Sequence, residues 1–259
     1  MQPHETITRA LRDANAAGRV GLVPFLTAGY PKVDRFADDL AAIAAVGDVV
    51  EVGVPFSDPM ADGMTIQRSS RAALEQGVTL GWIFDCLEAA RERIGAPVIL
   101  MSYLNPLLAF GYDRVASRSL EAGVAGFIVP DLPWEESAEF GDPLTEAGLA
   151  LVQLVTPATP EARLARLCDA SRGFVYAVTM RGITGGAAGL PADTTDYLDR
   201  VRAASTLPVC AGFGIRTADQ VRQVGRHAEG VIVGSALVEV LEQGSDPSVF
   251  LDALRTGTG

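Results

Sequence analysis

Short runs rich in apolar and β-branched residues recur along the chain, and the stretches between them carry apolar positions at helical spacing. The runs are Gly21–Thr27, Asp48–Val54, Pro97–Tyr103, Ala125–Val129, Ala150–Val155, Phe174–Thr179, Pro208–Phe213 and Gly230–Val233. They are almost continuously apolar, as strands covered on both faces must be. Between them Phe36, Leu40 and Ile43 fall at i, i+4 and i+7, and Leu164, Leu167 and Cys168 at i, i+3 and i+4. Thr159-Pro160 predicts a cap followed by proline at the first helical position. Thr217 with Gln220 predicts a capping box opening the helix after the seventh strand. A further helix, about residues 5–16, precedes the first strand. Strands alternating with helices in this number predict an α/β chain folded as a (β/α)8 TIM barrel with an extra N-terminal helix. One domain, 1–259, is expected, its barrel spanning about 20–256. Pro24 sits awkwardly in the first run because it removes a ladder donor. An open doubly wound sheet is the alternative, but no Gly-x-Gly-x-x-Gly follows the first strand.

Composition narrows the chemistry. At 48% hydrophobic and 20% charged the chain can bury a large core, and no apolar run approaches the roughly 20 residues of a membrane helix. No apolar signal segment opens it, and Cys86, Cys168 and Cys210 are odd in number and far apart, which points to reduced thiols and a cytoplasmic location. A formal net charge of −11 argues against nucleic acid as a partner. It also requires any phosphorylated ligand to be held by local backbone N–H groups rather than by a global field. His4 and His227 are the two histidines and Lys32 the one lysine, which leaves little for a metal cluster, a Ser-His-Asp triad or a Schiff base. Acid–base work falls to carboxylates, tyrosines and water.

In such barrels reactive groups lie where strands end and the following loops begin. The second strand reads Val49-Val50-Glu51-Val52-Gly53-Val54, a carboxylate set among valines. Burial there raises its pKa and suits a general acid near neutrality, although a structural glutamate paired with an arginine is the plainer reading. The loop Phe56-Ser57-Asp58-Pro59-Met60-Ala61-Asp62-Gly63 adds two aspartates, of which Asp62, at the rim, is the better partner for Glu51. Gly185, Gly212-Phe213-Gly214 and Gly234-Ser235 fall at the ends of strands six, seven and eight, where barrels commonly bind phosphate. Taken singly each glycine reads as a turn; three clusters together point to an anion site.

The stretch Val50 to Gly63 resembles the signature of tryptophan synthase α subunits: aliphatic, Glu, aliphatic, Gly, two residues, Phe-Ser-Asp-Pro, two residues, Asp-Gly. The similarity continues through Val23-Pro24-Phe25, Thr27-Ala28-Gly29, Ile66-Gln67, Tyr103 with Asn105-Pro106, Pro130-Asp131-Leu132-Pro133, Gly182-Ile183-Thr184-Gly185, Gly212-Phe213-Gly214-Ile215 and Gly234-Ser235. The resemblance implies a lyase that splits indole-3-glycerol phosphate into indole and glyceraldehyde 3-phosphate. Glu51 would protonate the indole ring and Asp62 would accept a hydrogen bond from its N–H. Tyr176 would orient the substrate, Phe25 and Phe213 would stack around the indole, and Thr184 would reach Asp62 from a mobile loop. Gly185, Gly214, Gly234 and Ser235 would hold the phosphate. No cofactor and no metal are implied on this chain. A β subunit carrying pyridoxal phosphate is the implied partner, in an α2β2 tetramer. Two departures stand out. Met64 replaces the family's usual proline, and Gly186-Ala187-Ala188-Gly189 stands where an arginine is common, which implies a loop that closes less readily. The alternatives are a stand-alone lyase that releases free indole and a barrel retained only as an activating subunit.

Overall fold

The computed structural model describes residues 1–179, 190–212 and 214–255. Eight parallel strands close into a barrel in chain order: β1 (Gly21–Thr27), β2 (Val50–Gly53), β3 (Val98–Met101), β4 (Val124–Ile128), β5 (Ala150–Val155), β6 (Val175–Val178), β7 (Val209–Gly212) and β8 (Gly230–Val233). The last strand pairs with the first, Gly21 opposite Gly230 and Pro24 opposite Val233. All the runs read from the sequence become strands. Several are shorter than the runs, although flanking residues still bond to the neighbouring strand, as Val54 N–H does to Met101 and Ser102 N–H to Ile128.

Pro24 finds its place through a change of neighbour. The paired residues of β1 and β2 begin only at Phe25, opposite Glu51, so the missing N–H of Pro24 falls before that ladder starts. Gly47 packs against the proline ring; a Cβ there would stand 2.7 Å from Pro24 Cγ.

The period-2 alternation of the strands sorts side chains into two layers. Val23, Val49, Ile99, Ala125, Val152, Phe174, Cys210 and Ile232 fill the barrel interior. Val50, Val52, Leu100, Phe127 and Val209 point outward into the larger core shared with the helices. Glu51 lies between Val50 and Val52 and therefore faces inward.

The N-terminal helix, Pro3–Ala16, begins slightly earlier than its pattern predicted. Ile7 and Leu11 plug the bottom of the barrel as part of the interior cluster. Its polar face follows the turns that lead into four successive strands. His4 Nδ1 lies 2.9 Å from the Gly148 carbonyl, Thr8 Oγ1 donates to Gly173 at 2.7 Å, Arg12 to Thr206 at 3.0 Å and Asn15 Nδ2 to Glu229 at 2.8 Å. The spacing of one helical turn thus matches the spacing of barrel strands, and backbone carbonyls at the closed end are satisfied. With the bottom sealed, the open mouth is the end at which the strands terminate.

The capping box at Thr217 and Gln220 forms as read, with both reciprocal bonds present. The cap at Thr159 does not. The helix starts at Glu161 with Pro160 in the cap position, and Thr159 Oγ1 instead accepts from the Thr156 N–H at 2.9 Å. A local turn took the hydroxyl that the helix was expected to use.

Candidate active site

Glu51 is 1% exposed, lying opposite Phe25 on one side and Ile99 on the other. Its Oε2 has no hydrogen-bond partner among the described residues, and none of the arginines described forms an ion pair with it. Burial pushes its pKa up to about 8, and the neighbouring charge of Asp62 adds to the shift. The carboxyl is therefore a protonated acid at neutral pH, aimed into the barrel mouth.

Asp62 comes from the loop that links β2 to the helix Met64–Glu75. Its backbone N–H donates to Pro59 at 3.2 Å, and Gln67 Nε2 donates to its carbonyl at 2.8 Å, which pins the loop to the helix it opens. Tyr103, just beyond β3, donates from its hydroxyl to Asp62 Oδ2 at 3.3 Å and accepts the Ala61 N–H at 2.9 Å. Burial raises the Asp62 pKa, while this bond from Tyr103 lowers it. Burial and the carboxylate beside it push the Tyr103 phenol up to about 12, so it stays a donor. The Tyr103 ring stacks on Phe56 at 5.0 Å between centroids, which holds the phenol over the loop.

Glu51, Asp62, Phe25, Tyr176, Gly234 and Ser235 line one cavity of about 140 Å³ at the mouth. Six residues read from the sequence on five different strands and loops thus converge. Tyr176 reaches across toward β7: a Cβ on Gly212 would stand 2.9 Å from its Oη. Burial first, then the charge of Glu51, keeps its phenol protonated. Phe25 lies against Gly53 and Gly234 and forms the apolar wall.

The other end of the cavity is built of backbone. Gly234 precedes the helix Ser235–Glu242 and provides no side-chain cap, so the first amides of that helix are available to an anion. Gly214 has φ +65°, a left-handed conformation that glycine adopts without strain. Thr184, Gly185 and Phe213 lie outside the described residues.

Tyr103, Gln67, Ile66 and Met101 were not assigned to the site from sequence, yet they touch or enclose its acid pair. Tyr103 and Ile66-Gln67 carried part of the family resemblance, and that was the only signal available. Among the described residues no group of histidine, cysteine or carboxylate side chains is arranged to hold a metal, and no helix is long and apolar enough to cross a membrane.

Fold and site together define a (β/α)8-barrel enzyme with two buried carboxyl groups at one end of its pocket and glycine-flanked backbone amides at the other. The family model described as tryptophan synthase alpha chain matches residues 11–255. The tryptophan synthase alpha chain of Nitratidesulfovibrio vulgaris is 45% identical over 248 residues, covering 95% of this chain and 96% of that protein. That of Roseiflexus castenholzii is 47% identical over 238 residues, 91% of each chain. Among solved structures, tryptophan synthase from M. tuberculosis in an open form superposes with a TM-score of 0.89 at 34% identity, covering 98% of both chains. The alpha subunit from Legionella pneumophila gives 0.88 at 34% identity, covering 100% of this chain and 98% of that one. The chain belongs to the tryptophan synthase alpha chain family. Its reaction is the lyase cleavage of indole-3-glycerol phosphate to indole and glyceraldehyde 3-phosphate, in tryptophan biosynthesis, and it takes no cofactor of its own.

Proposed function

We propose that Glu51 is the proton carrier of this cleavage and Asp62 the stabiliser of the charge it creates. The observation that carries the reading is the Glu51 carboxyl, 1% exposed, one oxygen unpartnered, lining the same cavity as Asp62. A neutral Glu51 donates a proton to the ring carbon that bears the glycerol chain. The ring becomes a cation, and Asp62 accepts a hydrogen bond from its N–H. Glu51, now a carboxylate, takes the proton of the side-chain hydroxyl next to the ring. The carbon–carbon bond breaks as the aldehyde forms, and its electron pair returns to the ring. One proton enters and one leaves, so the acid is regenerated. The ring itself is the electron sink, and neither lysine nor metal is called upon.

Phe25 and Tyr176 wall and orient the indole, and the amides at Gly234 and Ser235, with Gly214, hold the phosphate. Thr184, Gly185 and Phe213 complete the shell on the strength of the family resemblance. The partner is a β subunit carrying pyridoxal phosphate, assembled as α2β2. Met60, Met64 and Leu108, exposed at 93%, 78% and 56% on the loops and helix after β2 and β3, supply apolar surface for docking at this face. A cytoplasmic location fits the three free thiols.

The test is indole release from indole-3-glycerol phosphate by the purified chain, with and without a tryptophan synthase β subunit. Slow cleavage that the partner accelerates, and that Glu51→Gln and Asp62→Asn each reduce at least about 100-fold, is expected. Full activity in Glu51→Gln sinks the acid assignment, and fast cleavage without a partner sinks the subunit reading.

A further inference from the structure

The Glu239 side chain sits outside the cavity, yet it joins three elements that build it. Its oxygens accept both terminal nitrogens of Arg216, at 2.7 Å to Oε2 and 2.9 Å to Oε1. Thr65 Oγ1 also donates to Oε1, at 3.4 Å. Each partner is close in sequence to one end of the pocket. Arg216 follows Gly214 by two residues, in the loop after β7. Thr65 stands in the first turn of the helix Met64–Glu75, whose cap is Gly63 and whose preceding residue is Asp62. Glu239 itself lies one turn below Ser235 on the helix Ser235–Glu242, whose first amides face the anion site. One turn further along the same two helices, Glu242 accepts from Arg68 at 2.6 Å. Two carboxylates three residues apart on one helix thus grip two donors three residues apart on the other, a matched register that locks them together.

We propose that Glu239 is a positioning residue that couples the phosphate end of the pocket to Asp62. This rests on the reading of Gly214, Gly234 and Ser235 as the phosphate site and of Asp62 as the indole contact. An exposed ion pair adds little to stability, so the consequence of the contact is geometric. An anion that orders the loop after β7 and the start of the Ser235–Glu242 helix draws Glu239 with it. Glu239 draws Thr65, and the Gln67 bond to the Asp62 carbonyl, 2.8 Å, carries the constraint to the loop. The indole end is thereby set when the phosphate end is filled. Glu239 stays ionised across the working range because its bonds from Arg216 hold its carboxyl below the usual glutamate value.

The experiment is equilibrium binding to the isolated full chain of indole alone, of glycerol 3-phosphate alone, and of indole at saturating glycerol 3-phosphate. Wild type should bind indole about tenfold more tightly in the presence of the phosphate ligand. Glu239→Gln and Thr65→Val should reduce this coupling to less than about twofold, although each ligand alone still binds, and Thr65→Ser should restore it. The coupling ratio is the readout that a merely structural role would leave unchanged. Coupling of wild-type size in Glu239→Gln, or none in wild type, overturns the proposal and leaves the site reading intact. Failure of wild type to bind either ligand alone overturns the site reading itself, and the coupling with it.

Discussion

The ring of Phe25 occupies the space in front of Gly53: a Cβ built on that glycine would stand 2.5 Å from Phe25 Cζ and 2.7 Å from Cε2. The glycine two residues after Glu51 is therefore there for the aromatic wall, and the wall stands beside the acid because Phe25 pairs with Glu51 across β1 and β2. A methyl group at position 53 has to push the ring toward the cavity. Gly53→Ala is expected to lower kcat/KM roughly 10- to 100-fold through displaced substrate. Its stability cost is limited to about 1–3 kcal/mol of overpacking. Steady-state kinetics alongside denaturant unfolding separate the two effects. Unchanged kcat/KM in a folded variant contradicts this role for Phe25.

Burial raises the Glu51 pKa from 4.5 to about 8 in the folded chain. A carboxyl raised on folding contributes stability that is fully present below 4.5 and is lost as pH climbs through the folded value. Glu51→Gln removes that titration. Relative to wild type the variant is expected to gain stability steadily between pH 4.5 and about 8, by up to about 5 kcal/mol in all. Chemical denaturation of both proteins across that range checks it. Any constant offset from the new amide cancels, since only the slope with pH is at issue. Parallel curves would falsify the buried-acid assignment.

Tyr103 favours the charged form of Asp62 through its hydroxyl, while burial opposes it. Tyr103→Phe removes the donor and leaves the burial, so the Asp62 pKa must rise. Because the proposed role of Asp62 requires a carboxylate, the acidic limb of the pH–rate profile is expected to move to higher pH. The stability loss should stay near 1 kcal/mol for the hydrogen bonds removed. A pH profile of kcat/KM decides this; an unmoved acidic limb means that Asp62 does not need its charge.

Much of this molecule was legible one residue at a time. Eight apolar runs, their helical intervals and the lack of a dinucleotide glycine motif pointed to a closed parallel barrel, because strands buried on both faces must read that way. Glu51 stood out because a carboxylate among valines is costly to bury, and Asp62 because the signature around it is long and specific. Three kinds of fact had no such local signal. Thr159 prefers its own turn at Thr156 to the helix that follows, a competition decided by backbone geometry. Tyr103 is 41 residues from Asp62 and meets it only because β3 lies beside β2. Glu239 and Thr65 are 174 residues apart, and only ring closure of β8 onto β1 brings their helices together. Periodicity determined the barrel, and a carboxylate among valines marked Glu51 as buried, since burial and hydrogen-bond geometry act on each segment separately. The tertiary structure decided which distant side chains hold that acid's partner in place, because proximity between segments exists only once the barrel has closed.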